Sequence, residues 1–552
     1  MASQLQHLAR QSTAQSPPRL TVPALDAIEN PSVETHPVRL LEWIRHLPYA
    51  TPAKAAEALF ESLFRLNRFP GAVPQRQALM DCYQPPFETL YKLARKASNR
   101  RAVQTARRQQ TDIAALVLKI TTELAYGYKR VINEALQGGG PPKDKEQFGN
   151  AIHAALQAMT LELMLEYASF IPDSKKAWRE IFQLYSLAEQ QDLQHHAPES
   201  GDSIELLFKR ILLIALTDPY HLQRGEAWSC YDYLTEWGAK AGIGRAATAP
   251  ENTTGVFLID LGAMQPPKPP EPGESLAQER HRLLTVAPLN ASVHRHLQQI
   301  REEDAAAPKG AENLSIAEME QMFRHMLLAW HVRPSRRSPR HEKYGACRVA
   351  CGLSAINHFL LAGEFTPERE ERAAPPGTED LILEEKGAFR REAAHYDVHR
   401  WRIFNRSASG IGMMISPPFP KDLQVGQLVL VEIETEQREK RLTPGIVRRM
   451  IERDANTLET GIQFIHNKVD PIAIRPHAYG SENAADFQSG LLLNRGGDAP
   501  NALLVPHGMY KQRREFTLEH NGRSYRILAA KLIESTPVFD RFEYQEIIQR
   551  QS

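Results

Sequence analysis

The residues best equipped for chemistry sit in two short runs. Arg336-Arg337-Ser338-Pro339-Arg340 fits R-x-x-x-R, and Asn405-Arg406-Ser407-Ala408-Ser409-Gly410 fits N-x-S-x-x-G. A guanidinium fork grips a phosphate through two parallel hydrogen bonds, reads the O6/N7 edge of guanine, or stacks on a base. On an extended segment Arg336 and Arg340 lie on the same side, so both reach one ligand. Asn405 offers an amide for a base edge, and Ser407, with Ser409 close behind it, offers a hydroxyl for a phosphate or base. Gly410 permits a tight turn in which backbone N–H groups approach the ligand. These groups suit the recognition of phosphates and purine edges. Taken alone the arginine spacing says little, since the chain has 67 Lys and Arg in 552 residues and Arg333 and Arg337 fit it too. A solvated basic linker is the ordinary fate of such a run.

The elements that must position these groups read as strands. Trp401–Phe404 leads into the second motif. Val425–Ile433 follows a Pro-rich stretch, then Pro444–Arg449, then Gly461-Ile462-Gln463-Phe464 at the end of a further strand from Glu459. With these strands in this order, residues 331–466 resemble the PilZ domain family. The resemblance implies a six-stranded antiparallel β-barrel. It implies cyclic di-GMP as the ligand, bound by Arg336, Arg337, Arg340, Asn405, Ser407, Ser409 and Gly410. It also implies a cytoplasmic receptor in the control of bacterial motility, surface attachment or biofilm. A barrel of this shape that has lost its ligand and serves as a scaffold is the alternative. Two features depart from the family pattern. Pro339 stiffens the arginine motif. Residues 363–396 stand between the motifs as an insertion in the first hairpin, with Pro367–Gly377 built only from Pro, Glu, Arg, Ala and Gly. That insertion is expected as a solvated or partly helical loop, or else as a lid or partner-binding element.

The remaining sequence reads as multidomain α + β. A disordered tail, residues 1–30, precedes a helical domain, 31–330, read as an all-α irregular bundle or short solenoid. Apolar residues recur at helical spacing in Ala53–Asn67, Ala102–Leu136, Ala151–Phe170, Trp178–Leu193, Ile204–Leu216 and Leu314–Trp330. Ala151–Phe170 is apolar enough for a central buried helix, and Asp173 or Ser174 is the expected N-cap of the next one. Met159, Met164, Tyr167, Phe170 and Tyr185 are expected in the core. Gly255–Gly262 reads as a small β-element, and the Pro-rich run Pro266–Pro272 as an exposed connector. A helical array of this kind offers a surface for a protein partner, whose affinity would follow the state of the barrel. Residues 467–552 are β-rich, either an extension or a second small barrel, with a type I′ Asn521-Gly522 turn between alternating strands.

Composition bounds the function. The net charge is +1, which argues against a nucleic-acid binder even though the arginines are locally dense. There is no run of about 18 apolar residues for a membrane span, and Met1–Pro23 lacks the apolar core of a secretory signal. Cys82, Cys230, Cys347 and Cys351 have no metal spacing, and four positions along one strand keep Cys347 and Cys351 too far apart for a disulfide. His341-Glu342 is not followed by a histidine at metalloprotease spacing, and there is no phosphate-binding P-loop. The expectation is a binding protein without metal or catalytic group.

Overall fold

The computed structural model describes residues 20–547, apart from 28–32, 71–74, 100–103, 138–141, 301–305, 332–338, 363–364, 366–395, 435–439, 466–467, 478–485, 495–500 and positions 173, 200, 422 and 455. The chain forms two compact units, Met1–Pro334 and Ser335–Ser552.

The first unit is largely helical: α1 (Pro37–Arg45), α2 (Pro52–Arg68), α3 (Arg76–Asn99), α4 (Gln104–Leu136), α5 (Lys145–Ala168), α6 (Lys175–Gln190), α7 (Ile204–Leu216), α8 (Glu226–Trp237), α9 (Ala287–Gln299) and α10 (Ile316–His331). Side-chain oxygens of Asp144, Ser174 and Ser203 accept from Gln147, Ala177 and Leu206 N–H at the starts of α5, α6 and α7. Each satisfies a donor the helix cannot. Helix α5 is buried around most of its circumference, as its composition predicts, and Met159, Met164, Tyr167, Phe170 and Tyr185 are all core residues. Phe64 is one apolar residue of α2 that does not enter the core. It is exposed, and the Arg68 guanidinium lies 3.4 Å over its ring.

This unit is not all-α. The strand at Val256–Asp260 (β2) belongs to a three-stranded antiparallel sheet in the order β1 (Gly242–Gly244), β3 (His281–Thr285), β2. The Pro-rich run is more than an exposed connector. Lys268 exchanges backbone hydrogen bonds with Leu258, of 2.7 and 3.2 Å, while Pro267 and Pro270 are buried. The polypeptide from Leu20 is docked as well. Leu20 is buried, its N–H donates to Asn133 Oδ1, and the Asn133 amide donates back to its carbonyl.

Among the buried charges of this unit, Lys129 Nζ lies 2.7 Å from Glu180, with side chains 4% and 5% exposed. Glu180 also accepts from the Thr21 N–H. Burial alone would raise the Glu180 carboxyl, but the charge and hydrogen bond of Lys129, together with the hydrogen bonds from Thr21, outweigh it and hold the group below its ordinary value.

The second unit contains two closed six-stranded antiparallel barrels. The first has the order β4 (His341–Cys351), β5 (Val398–Ser407), β6 (Gly410–Ile415), β9 (Thr457–Phe464), β8 (Lys440–Asp454), β7 (Leu428–Glu434). It closes where Val349–Cys351 pairs with Val429–Val431, and Arg348 holds Glu432 across that seam in a bidentate pair at 2.6 and 3.1 Å. The second barrel has the order β10 (Lys468–Pro476), β11 (Gln488–Asn494), β12 (Ala502–Pro506), β15 (Phe539–Glu546), β14 (Arg523–Ser535), β13 (Glu515–His520). Residues 467–552 therefore form a barrel, not an open extension. Asn521 and Gly522 both take positive φ, 50° and 73°, as a type I′ turn requires.

Helix α11 (Leu353–Ala362), between β4 and the insertion, joins the barrels. Ile356 and Phe359 share one buried cluster with Leu428, Leu430 and Ile446 of the first barrel and Leu491, Leu504 and Phe539 of the second. Asn357, 2% exposed, donates its amide N–H groups to the carbonyls of Ile472 and Gly490 at 3.0 and 2.9 Å. Most of the expected insertion lies outside the described residues. Its flanking residues Phe365 and Tyr396 pack on α11, with ring centroids 4.8 and 6.3 Å from that of Phe359.

Two outcomes follow. Replacing Lys129 by Ala leaves Glu180 buried without its partner and is expected to cost about 3–5 kcal/mol in a denaturant titration of the helical unit. In the native protein the folded Glu180 is more acidic than the unfolded one. Its contribution is therefore complete above the ordinary glutamate value of 4.5 and is lost as pH falls through the lower folded value. Unchanged acid stability in the Lys129 variant would contradict this. Replacing Asn357 by Leu strands two buried carbonyls and is expected to lower the stability of the barrel pair by about 1–3 kcal/mol, measured by the melting of the second unit.

Candidate functional site

Strand alternation normally sends every second residue of a β-strand to the same face. In β5 this rule is broken once. Ile403 pairs with Met413 and Asn405 pairs with Gly412, so Phe404 is an extra residue, a β-bulge. Trp401 and Met413 are buried in the barrel. Regular alternation would send Asn405 inward after Trp401 and Ile403. The bulge turns it to the outer face instead.

Following the register from Asn405 gives a row across four strands: Asn405 on β5, Gly412 on β6, Gly461 on β9 and Arg449 on β8. The parallel row is Ser407, Gly410 and Gln463. At a strand spacing of roughly 4.8 Å the first row spans about 14 Å. Gly412 and Gly461 add no side chains to the first row; Gly412 is itself covered by Asn405 and the Phe404 ring, and Gly461 is the half-exposed part of this floor.

The glycines are required sterically. A Cβ on Gly412 would come within 2.6 Å of Asn405 Oδ1 and 2.7 Å of Phe404 Cζ. A Cβ on Gly410 would lie 2.3 Å from the Ile462 carbonyl oxygen. Gly410 was expected to serve the turn itself. Its φ is not positive, and the constraint is instead the close approach of β9. The turn is the two-residue link Ala408-Ser409 between paired Ser407 and Gly410. The Ser407 hydroxyl donates to the Gly410 carbonyl at 3.3 Å and lies 3.4 Å from Ser409 Oγ, while the Ser409 carbonyl accepts from Phe464 N–H.

Of the residues singled out from sequence, Asn405, Ser407, Ser409 and Gly410 are brought together in this one hairpin. Arg340 is exposed and immediately precedes β4. It is in phase with Glu342, which pairs with Asn405, so it belongs to the strand bordering the same face. Arg336 and Arg337 lie outside the described residues. Sequence reasoning missed Gly412, Gly461, Gln463, Arg449 and the Phe404 ring. The glycines were visible in Gly410-Ile411-Gly412 and Gly461-Ile462, but only the register shows that they adjoin.

Charge around the floor is basic. Arg449 and Arg453 both grip the buried carboxylate of Glu459, with N–O distances of 2.7 Å from Arg449 Nη1 and Arg453 Nε. Arg448 Nε donates to Gln463 Oε1 at 2.9 Å, and the same guanidinium pairs with Glu534 of the second barrel. Such donor sets match anionic, planar ligands. A cleft of about 520 Å³ in the helical unit is different in character. It is lined by Tyr167, Tyr220, Phe257, Pro266, Trp330 and others, with Lys268 and Asp218 as opposed charges, and it contains no arginine.

Among the described residues, no group of three or more His, Cys, Asp or Glu side chains could hold a metal ion, and no helix is long and apolar enough to cross a membrane.

Comparison with known proteins gives the two ends of the chain a common relationship. Residues 38–248 match the family model described as the N-terminal domain of the cyclic-di-GMP receptor FimW, and residues 472–547 match the model of the FimW C-terminal beta-barrel domain. The cyclic-di-GMP receptor FimW of Pseudomonas aeruginosa is 23% identical to this chain over an alignment of 563 positions, covering 91% of this chain and 89% of the relative. The chain is thus similar to that receptor along nearly its whole length, through the helical unit and both barrels.

Proposed function

We propose that this chain is a receptor for cyclic di-GMP, and that the ligand lies across the outer face of a PilZ-type first barrel. The observation that carries this reading is the hairpin that gathers Asn405, Ser407, Ser409 and Gly410 on that face. Its likeness to a protein described as a cyclic-di-GMP receptor supports it. The ligand has two phosphodiester charges and two guanines. The Asn405 amide suits a base edge, the Ser407 hydroxyl a phosphate or base, and the half-exposed backbone at Gly410 and Gly461 admits a flat ring system at close range. Arg336, Arg337 and Arg340 supply forks that close over the phosphates or the guanine O6/N7 edges. Each of these roles is recognition, so the protein acts by binding and not by turnover. The helical unit then presents a surface to a protein partner whose affinity depends on the nucleotide, within the cytoplasmic control of motility, surface attachment or biofilm.

The test is isothermal titration of the full-length protein with cyclic di-GMP, beside an Arg336→Ala/Arg340→Ala double variant. Binding at micromolar affinity or tighter is expected for the native protein. A loss of roughly 100-fold or more is expected in the variant, since two charge-assisted contacts are removed. Absence of heat with folded protein would overturn the receptor reading and leave a ligand-free scaffold. Equal affinity in the variant would remove the arginine segment from the site.

A further inference from the structure

We propose that Arg449 is an additional nucleotide-contacting residue, held in place by Glu459. The inference rests on the receptor reading above and extends its site from the β5–β6 hairpin to the far side of the floor.

Three observations carry it. First, register places Arg449 in the same cross-strand row as Asn405, with only Gly412 and Gly461 between them. A Cβ on Gly461 would sit 3.4 Å from the Arg449 Cβ, so both project from one face. Asn405 and the Phe404 ring, which cover Gly412, and Arg449 beyond them therefore flank Gly461 from opposite sides. Second, Arg449 and Arg453 share one carboxylate, that of Glu459. One negative charge cannot neutralise two guanidiniums, so a net positive charge is left beside the floor. Third, the Glu459 side chain is 7% exposed whereas that of Arg449 is 31% exposed. The carboxylate, two residues from Gly461 and so on the same face, anchors Arg449 from the side, and Arg449 is the more exposed partner of the pair.

A fork held in this way loses little side-chain freedom on meeting a ligand, which makes its contact stronger than that of a free arginine. Its planar donors suit either a phosphodiester of cyclic di-GMP or the O6/N7 edge of a guanine lying on Gly461. Glu459 is a positioning residue. It touches Arg449, and through Arg449 it sets the geometry on that side of Gly461.

Full-length protein with Arg449→Ala, Arg449→Lys or Arg453→Ala is titrated with cyclic di-GMP, and its melting temperature is recorded without ligand. Arg449→Ala is expected to weaken binding roughly tenfold or more, and Arg453→Ala less than that, since it removes neighbouring charge but no contact. Arg449→Lys keeps the charge and the ion pair with Glu459 but not the fork. It decides the matter should Arg449→Ala also lower the melting temperature, since a roughly tenfold loss there upholds the proposal. Native affinity in Arg449→Lys, or in a stably folded Arg449→Ala protein, overturns it while leaving the receptor reading intact. Failure of the native protein to bind overturns the receptor reading itself, and this inference with it.

Discussion

One extra residue in a strand decides what the first barrel can present. Without the bulge at Phe404, Asn405 would point into a barrel interior filled by Trp401, Met413 and Cys347. Burying an amide among apolar side chains would cost stability and remove it from any ligand. With the bulge, the amide emerges on the outer face and the strand still contributes Trp401 to the core. The same event explains the glycines. Two bulky groups, Phe404 and Asn405, now lie over the neighbouring strand, and only a residue without a Cβ fits beneath them at Gly412. A bulge that re-aims a side chain beside a functional face is a recurrent device.

The face needs a rigid support, and the second barrel supplies part of it. The cluster around Ile356 and Phe359 joins the outer faces of the two barrels through α11, while the interior of the second barrel, with Leu492, Leu503 and Phe542, is a separate core. Asn357 adds a polar lock by satisfying two carbonyls of the second barrel from the middle of that helix. Arg448 extends this support to the site. It holds Gln463, at the edge of the glycine floor, and Glu534 of the second barrel with one guanidinium. The C-terminal barrel is therefore part of the scaffold that keeps the proposed ligand face in register.

Much of this was legible in the residues, and the limits have physical reasons. Periodicity found most long helices because their buried faces follow the 3.6-residue repeat. It offered nothing for α3, which carries Pro85 and Pro86 in its interior and is nevertheless helical because Leu79, Tyr83, Phe87 and Leu90 are buried. The small sheet was only half visible, since β1 is three residues long and β3 has no alternation to mark it. The Asn405–Gly410 hairpin could be read because its residues are contiguous. Arg449 and Gly461 could not be joined to it, because their proximity depends on strand order and on two register shifts, and both are tertiary facts.

The most direct test of the central claim is amide hydrogen exchange of the full-length protein with and without cyclic di-GMP. If the outer face of the first barrel is the site, ligand slows exchange most strongly in the β5–β6 hairpin, around residues 402–412, and in the adjoining stretch of β9 around Gly461. Binding that leaves those amides unchanged, with slowing confined to the second barrel or to the apolar cleft of the helical unit, would contradict it.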